Sequence, residues 1–249
     1  MIFNVGARRS GTYWLQRIVC AHPDVAEVPS ETYLFSHGVA PLMERFQHTD
    51  PGLREVGQVY AERDAVLSAI RGLCDSVFGA FAAGGEPHVA ERTPWHVLHL
   101  PLIGEVYPDA RFVHIIRDGR DAARSIVAQP WGPDSVAGAA EEWRASVEAG
   151  RAGAGVLGER LLEVRYEELV AEPRPGVERI YAHLGLEGGI EGALEAAGQV
   201  ENLGGHDRRV GTGKWRDGWG RRERREFDRV AGELMAELGY DQGDGVSAG

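Results

Sequence analysis

Lysine is all but missing from this sequence: of 27 basic residues, 26 are arginine and Lys214 stands alone. Cysteine is nearly as scarce, with only Cys20 and Cys74. Two thiols cannot form the disulfide framework of a secreted chain, so they read as core thiols in a reducing cytoplasm. No apolar run approaches the ~20 residues of a membrane helix, which excludes a span. Met1-Ile2-Phe3-Asn4-Val5 has no basic stretch before it and no long apolar stretch after it, so it reads as a strand start and not a secretory signal. Positive charge is in deficit overall, the net charge being −11. That excludes a broad basic face for nucleic acid and disfavours a highly anionic acceptor such as a glycosaminoglycan. No Cys/His spacing indicates a metal site, and no Ser-His-Asp arrangement can be drawn.

What is present fits a folded α/β chain. Hydrophobic residues make up 43% and charged residues 26% of 249 positions, enough for one large domain over residues 1–240. Residues 241–249 read as a disordered tail. The pattern predicts strands at 2–5, 25–28, 88–91, 111–116 and 161–166. Between them it predicts helices from Thr12 to His22-Pro23, over 59–82, over 95–107 despite Pro101, and at about 120–128 and 136–150. Further helices follow at 175–184, 190–197 and 221–239, with a Gly-rich polar loop at 198–220. The 59–82 helix is expected to bury Val66, Ile70, Leu73, Val77 and Phe81. Strand–helix alternation implies a parallel sheet covered on both faces.

Gly6-Ala7-Arg8-Arg9-Ser10-Gly11-Thr12 lies between the first strand and the first helix, where free backbone N–H groups and the positive end of the helix dipole meet an anion. The GxxxxG spacing is that of a phosphate loop. Thr12-Tyr13 replaces the Lys-Ser/Thr that a nucleoside-triphosphate kinase needs for its phosphates and Mg²⁺. The loop's cation is Arg9 instead.

The run VGARRSGTYWLQRI resembles the 5′-phosphosulfate loop of sulfotransferases that use 3′-phosphoadenosine 5′-phosphosulfate (PAPS), whose usual form is Lys or Arg followed by Ser-Gly-Thr. The resemblance implies that Arg9, Ser10, Gly11, Thr12 and Tyr13 hold the phosphosulfate, with Trp14 a packing residue. RFVHIIRDGRDAARSI resembles the family's 3′-phosphate motif, a strand-end Arg followed eight residues later by Ser, here Arg117 and Ser125. Leu162–Leu169 resembles the turn that brings a Tyr to adenine; Tyr166 takes that place or is a core tyrosine at the strand end. Arg208-Arg209-Val210-Gly211-Thr212-Gly213-Lys214-Trp215 resembles the C-terminal nucleotide loop. By that likeness Arg208 and Arg209 reach the 3′-phosphate and Trp215 supports the loop; Lys214 contacts the nucleotide or is solvated. Val210 replaces the usual glycine and leaves the register there open. Among subgroups, AHPDVAEVPSETYLF is most similar to tyrosylprotein sulfotransferases and their bacterial relatives.

An acceptor hydroxyl must lose its proton, and Pro29-Ser30-Glu31-Thr32-Tyr33 matches the family's Glu-type base segment. Glu31 is the expected base, with Glu27 and His37 as rivals. Glu91-Arg92-Thr93-Pro94 resembles the segment whose lysine assists the transferring group; Arg92 stands in its place. His114, in mid-strand, reads as core. The resemblance thus implies a P-loop-like three-layer sandwich, a central parallel sheet flanked by helices. It implies sulfuryl transfer from PAPS to a hydroxyl of a small molecule, a bacterial natural product, sugar or phenol, without a metal. Residues 33–60 and 128–138 are expected to line the acceptor pocket with Tyr33, Phe35, Tyr60 and Trp131. The rivals are a P-loop kinase and a catalytically inactive nucleotide-binding protein.

Overall fold

The computed structural model of this chain describes residues 1–47, 63–82, 84–198 and 211–240. Strands β1 (Ile2–Gly6), β2 (Val25–Glu27), β3 (His88–Glu91), β4 (Arg111–Ile116) and β5 (Leu161–Arg165) form one sheet in the order β2-β3-β1-β4-β5. Every pairing is parallel, with Phe3 beside Glu91 on one side and Phe112 on the other. Helices fill the connections: α1 (Thr12–Val19), α2 (Ala40–Gln47), α3 (Arg63–Gly79), α4 (Leu100–Val106), α5 (Gly119–Val127), α6 (Val136–Leu157), α7 (Tyr166–Ala171), α8 (Pro173–Leu184), α9 (Ile190–Gly198), α10 (Trp215–Gly218) and α11 (Arg221–Glu237). A π-helical turn covers Leu34–Val39 and a 3₁₀ turn Pro94–His99.

The strands carry apolar residues on both faces because both faces are covered. In β1, Ile2 joins a core layer with Leu15, Ile18 and Tyr181; Phe3 and Val5 join the opposite layer with Phe35, Ile70 and Phe78. In β4, Val113 and Ile115 face the first layer and Phe112 the second, the two-residue period of a strand. A third cluster, around Trp143, Trp215 and Phe227, packs α5, α6, α10 and α11 together. The His114 reading holds. Its ring is fully buried, and burial pushes its pKa down to about 4.

Three sequence expectations need correction. The α3 stripe is rotated: Ile70, Cys74 and Phe78 are its buried residues, while Leu73, Val77 and Phe81 are 56%, 36% and 39% exposed. The i, i+4 set is held by the ring of Phe3, whose centroid lies 6.3 Å from that of Phe78. Positions 59–62 of the expected helix lie outside the described residues. The 95–107 helix is two elements, because Pro101 has no N–H to donate inside a helix and is tolerated in the first turn of α4. The fifth strand stops at Arg165, and Tyr166 opens the short helix α7.

Because the sheet is all parallel, the C-terminal ends of its strands share one edge. The segments leaving β1, β2, β3 and β4 carry Arg8 and Arg9, Glu31, Arg92 and Arg117, and the helix that follows β5 directly opens with Tyr166. Such an edge is where open α/β sheets bind ligands.

Candidate functional site

A cavity of about 790 Å³ opens along that edge, and its wall includes a residue from each of these five segments. Its charged lining is lopsided. Arg8, Arg9, Arg92, Arg117, Arg124 and Lys214 face Glu31 and Asp121, a formal excess of four positive charges in a chain of net charge −11. A concave site with that balance concentrates anions.

The first loop is shaped for the purpose. Arg9 has φ +66° and Gly11, the N-cap of α1, has φ +100°. A Cβ on Gly11 would lie 2.7 Å from Cδ2 of Tyr166, so glycine is required there by both conformation and space. No side chain caps the helix, and Gly11, Thr12 and Tyr13 at its start line the cavity, where the positive end of the helix dipole faces it. Ser10 Oγ is buried without a hydrogen-bond partner among the described residues, as are Arg92 Nε and Arg117 Nε. Orphaned hydrogen-bonding groups around a cationic cavity fit the phosphates and sulfuryl group of a phosphosulfate donor.

Arg9 Nε donates to Ser125 Oγ over 2.8 Å. Arg117 donates to the Arg9 carbonyl (3.1 Å) and the Gly211 carbonyl (2.9 Å), with its guanidinium 4.5 Å above the Tyr166 ring. Tyr166 OH accepts the Gly211 N–H at 3.1 Å, and Trp14 meets the same ring edge-on at 5.2 Å. Burial raises the Tyr166 pKa against the pull of Arg117. Tyr166 therefore both lines the cavity and packs. Asp121 accepts the N–H groups of Gly213 (2.7 Å) and Trp215 (2.9 Å), fixing the C-terminal segment against α5. Trp215 is 1% exposed, with Arg120, Arg216 and Arg224 4.1, 4.7 and 5.0 Å from its ring centre. Lys214 lines the cavity; Thr212 is exposed. Arg208, Arg209 and Val210 lie outside the described residues.

On the far wall, Arg92 Nη1 donates to Glu31 Oε1 at 3.1 Å and Tyr33 OH donates to Glu31 Oε2 at 2.5 Å. Arg92 also covers the Tyr13 ring at 4.8 Å. Fully buried Glu91 holds this wall: it accepts from the Thr32 hydroxyl (2.9 Å), the Thr93 N–H (3.1 Å), the Thr93 hydroxyl and His96 Nδ1 (2.9 Å). His96 Nε2 accepts the Phe35 N–H at 3.2 Å, so the ring proton sits on Nδ1 and points at Glu91. Burial works against the Glu91 charge, but His96 and the Thr donors outweigh it, and its pKa lies below the ordinary carboxylate value.

The rivals to Glu31 lie elsewhere. Glu27 pairs with Arg17 at 3.4 Å, and His37 stacks on Tyr33 at 4.9 Å; neither lines the cavity. Tyr33 and Trp131 do line it, as expected. Phe35 does not: it is wholly buried against Phe3 and His96, because the π-helical turn points it inward, and Tyr60 lies outside the described residues. Sequence reasoning missed Arg8, whose guanidinium lies 4.3 Å from the Trp131 ring centre and 5.0 Å from that of Trp95 while it pairs with Glu142. It also missed Glu91, Asp121 and Arg124. The i, i+4 spacing of Arg117 and Asp121, and the place of Arg124 beside Ser125, were the available signals. Among the described residues, no group of three or more His, Cys, Asp or Glu could hold a metal, and no helix is long and apolar enough to cross a membrane.

Comparison with known proteins gives consistent results. The chain is 25% identical to a protein-tyrosine sulfotransferase of Drosophila melanogaster over 198 residues, covering 74% of this chain and 38% of that protein. It is 27% identical over 279 residues to nodulation protein NoeE of Sinorhizobium fredii, covering 96% of this chain and 66% of NoeE. This chain thus spans less than two thirds of either relative. A mouse sulfotransferase solved in complex with PAP shares the fold, with a TM-score of 0.56 at 17% identity over 96% of this chain and 86% of that one. Residues 2–189 match the profile described as Sulfotransferase family.

Proposed function

This chain belongs to the sulfotransferase family, and from that premise we propose that it transfers a sulfuryl group from PAPS to a hydroxyl of a small-molecule acceptor. The observation that carries the reading is the cavity itself: six cations against two carboxylates at the strand C-terminal edge, entered by a phosphate loop without Lys-Ser/Thr. That missing pair disfavours the kinase alternative. The mouse structure with PAP in the same fold supports the nucleotide.

PAPS, when bound, supplies an activated sulfuryl group on a phosphate leaving group. The residues that would hold it are Arg9, Ser10 and the N–H groups of Gly11, Thr12 and Tyr13 toward the phosphosulfate. Arg117, Ser125 and Arg124 would serve a second phosphate, with Gly211–Trp215 toward the rest of the nucleotide. Arg208 and Arg209 join them by resemblance. Glu31 takes the acceptor proton through the oxygen that now accepts from Tyr33 OH, and Arg92 keeps the carboxylate oriented through the other. A positioned base contributes roughly 10²–10⁴-fold. Arg9 and Arg92 stabilise charge that grows on the oxygens around sulfur, which fixed donors do most effectively inside a water-poor cavity. Tyr33 and Trp131 give the acceptor side flat apolar walls, suited to an aromatic or sugar ring. Both thiols are free in the structure, which supports a cytoplasmic location.

The test is transfer of labelled sulfate from PAPS to a mixed panel of alcohols, phenols and sugars, read by separation of labelled products. Tight Mg-ATP binding with indifference to PAP would overturn the reading in favour of a kinase. PAP binding without transfer to any hydroxyl would mark an inactive nucleotide-binding protein.

A further inference from the structure

A base identifies its acceptor by what it touches. If Glu31 is the base, then the hydroxyl hydrogen-bonded to it occupies the acceptor's place, and in this chain that hydroxyl is Tyr33 OH at 2.5 Å from Oε2. Hydrogen-bond contact is the geometric requirement for proton transfer to a general base.

Four further observations concern the same residue. Tyr33 lies on the wall of the cavity that Arg9, Gly11 and Thr12 also line, so it shares one chamber with the phosphate loop. Its backbone is in the left-handed region at φ +52°, an unfavourable conformation for a non-glycine residue. That conformation is held by Thr93 Oγ1, which accepts the N–H groups of Thr32 (3.0 Å) and Tyr33 (3.3 Å) and is itself bound to buried Glu91. The His37 ring stacks on Tyr33 at 4.9 Å. Finally, burial and the hydrogen bond to Glu31 raise the phenol's pKa to about 12, while Arg8 and Arg92 pull it the other way. The phenol therefore stays protonated at neutral pH and needs a base to react. The two guanidiniums would stabilise an anionic group on its oxygen.

We propose that Tyr33 is a built-in acceptor: with PAPS bound and no external hydroxyl compound present, the chain transfers the sulfuryl group to its own Tyr33 Oη. This rests on the reading of Glu31 as the base. In the step, the Tyr33 hydroxyl proton passes to Glu31 Oε2 and Oη forms a bond to sulfur. The bond from sulfur to the bridging phosphate oxygen breaks, and its electron pair leaves with PAP. The products are tyrosine O-sulfate, PAP and protonated Glu31; no oxidant or metal enters the balance. The new ester puts a negative charge beside Glu31, between Arg8 and Arg92, and fills the acceptor side of the cavity.

The experiment incubates the full chain with PAPS and no acceptor, then reads intact mass and maps peptides. The expected result is a gain of one SO₃ on the peptide that contains Tyr33, lost in Tyr33→Phe and in Glu31→Gln. The PAP-induced rise in melting temperature, measured on both variants, is expected to persist and shows that the nucleotide side remains folded. If Tyr33 stays unmodified while wild type sulfates a panel hydroxyl and Glu31→Gln does not, self-transfer is overturned and the base reading stands. If Tyr33 is modified equally in Glu31→Gln, the base reading falls, and with it the step as written.

Discussion

Arg9 Nε and Ser125 Oγ are 2.8 Å apart, so the loop after β1 and the helix after β4 meet directly across the cavity. By resemblance these residues serve opposite ends of the nucleotide, yet they form one hydrogen-bonded pair. Ser125 accepts from Arg9, which leaves the hydroxyl's own proton for a phosphate oxygen.

PAP should stabilise this chain far more than ADP does, because Arg117, Arg124 and Ser125 wall the side where a 3′-phosphate would sit. Ligand at roughly 100 times its Kd adds about 2.7 kcal/mol. Arg117→Ala should abolish the preference, since it also releases the Arg9 and Gly211 carbonyls. Equal melting shifts with PAP and ADP in wild type would refute the assignment.

Arg9→Ala should lower kcat by about 10²–10³, the usual cost of removing one donor to developing charge. PAP affinity, measured by calorimetry, should fall much less. Normal turnover with weakened PAPS binding would make Arg9 an anchor instead.

For Glu31→Gln the expected loss in kcat is at least about 10²-fold on an aliphatic alcohol, with nucleotide affinity retained. Phenols, which ionise more readily, should suffer less. Turnover above about a tenth of wild type on the alcohol would exclude the base role.

Burial of His114 ties stability to pH. Its pKa is lowered from 6.5 to about 4 in the folded chain, with Glu163 3.9 Å from Nδ1 and Arg151 adding to the depression. The unfolded chain thus binds the extra proton first. The contribution is complete above about pH 6.5 and is lost as pH falls toward 4, on the order of 3 kcal/mol in all. Denaturant unfolding across that window should show a shallower decline in His114→Asn than in wild type.

The rotated face of α3 gives a paired stability test. Phe78→Ala should cost about 3–5 kcal/mol, as truncation of a buried aromatic does. Leu73→Ala, on the exposed side, should stay within about 0.5 kcal/mol. Comparable losses from both would contradict the packing.

Strong local signals made much of this legible from sequence. Arg111–Ile116 reads as a strand because six residues, RFVHII, combine apolar and β-branched types, and the glycine-rich turn before Thr12 marks a helix start. The parallel sheet followed from alternation. What failed was decided by tertiary packing. The 66–70–73–77–81 stripe and the 70–74–78 stripe are both acceptable helical faces, and packing on Phe3 and Tyr107 distinguishes them. Likewise Glu91 reads as one more carboxylate until the fold surrounds it with Thr32, Thr93 and His96. Arg8 acquires its place only in the fold, where Trp95 and Trp131 from distant segments flank its guanidinium.

The grip of Arg117 and Asp121 on Gly211, Gly213 and Trp215 spans more than 90 positions of sequence. During synthesis the N-terminal parts of a chain emerge and fold first. The sheet and its phosphate loop can be assembled while the segment that closes the nucleotide side is still inside the ribosome. Long-range closures of this kind are the slow part of folding. The contacts that close the nucleotide side therefore cannot form until the segment after α9 has emerged.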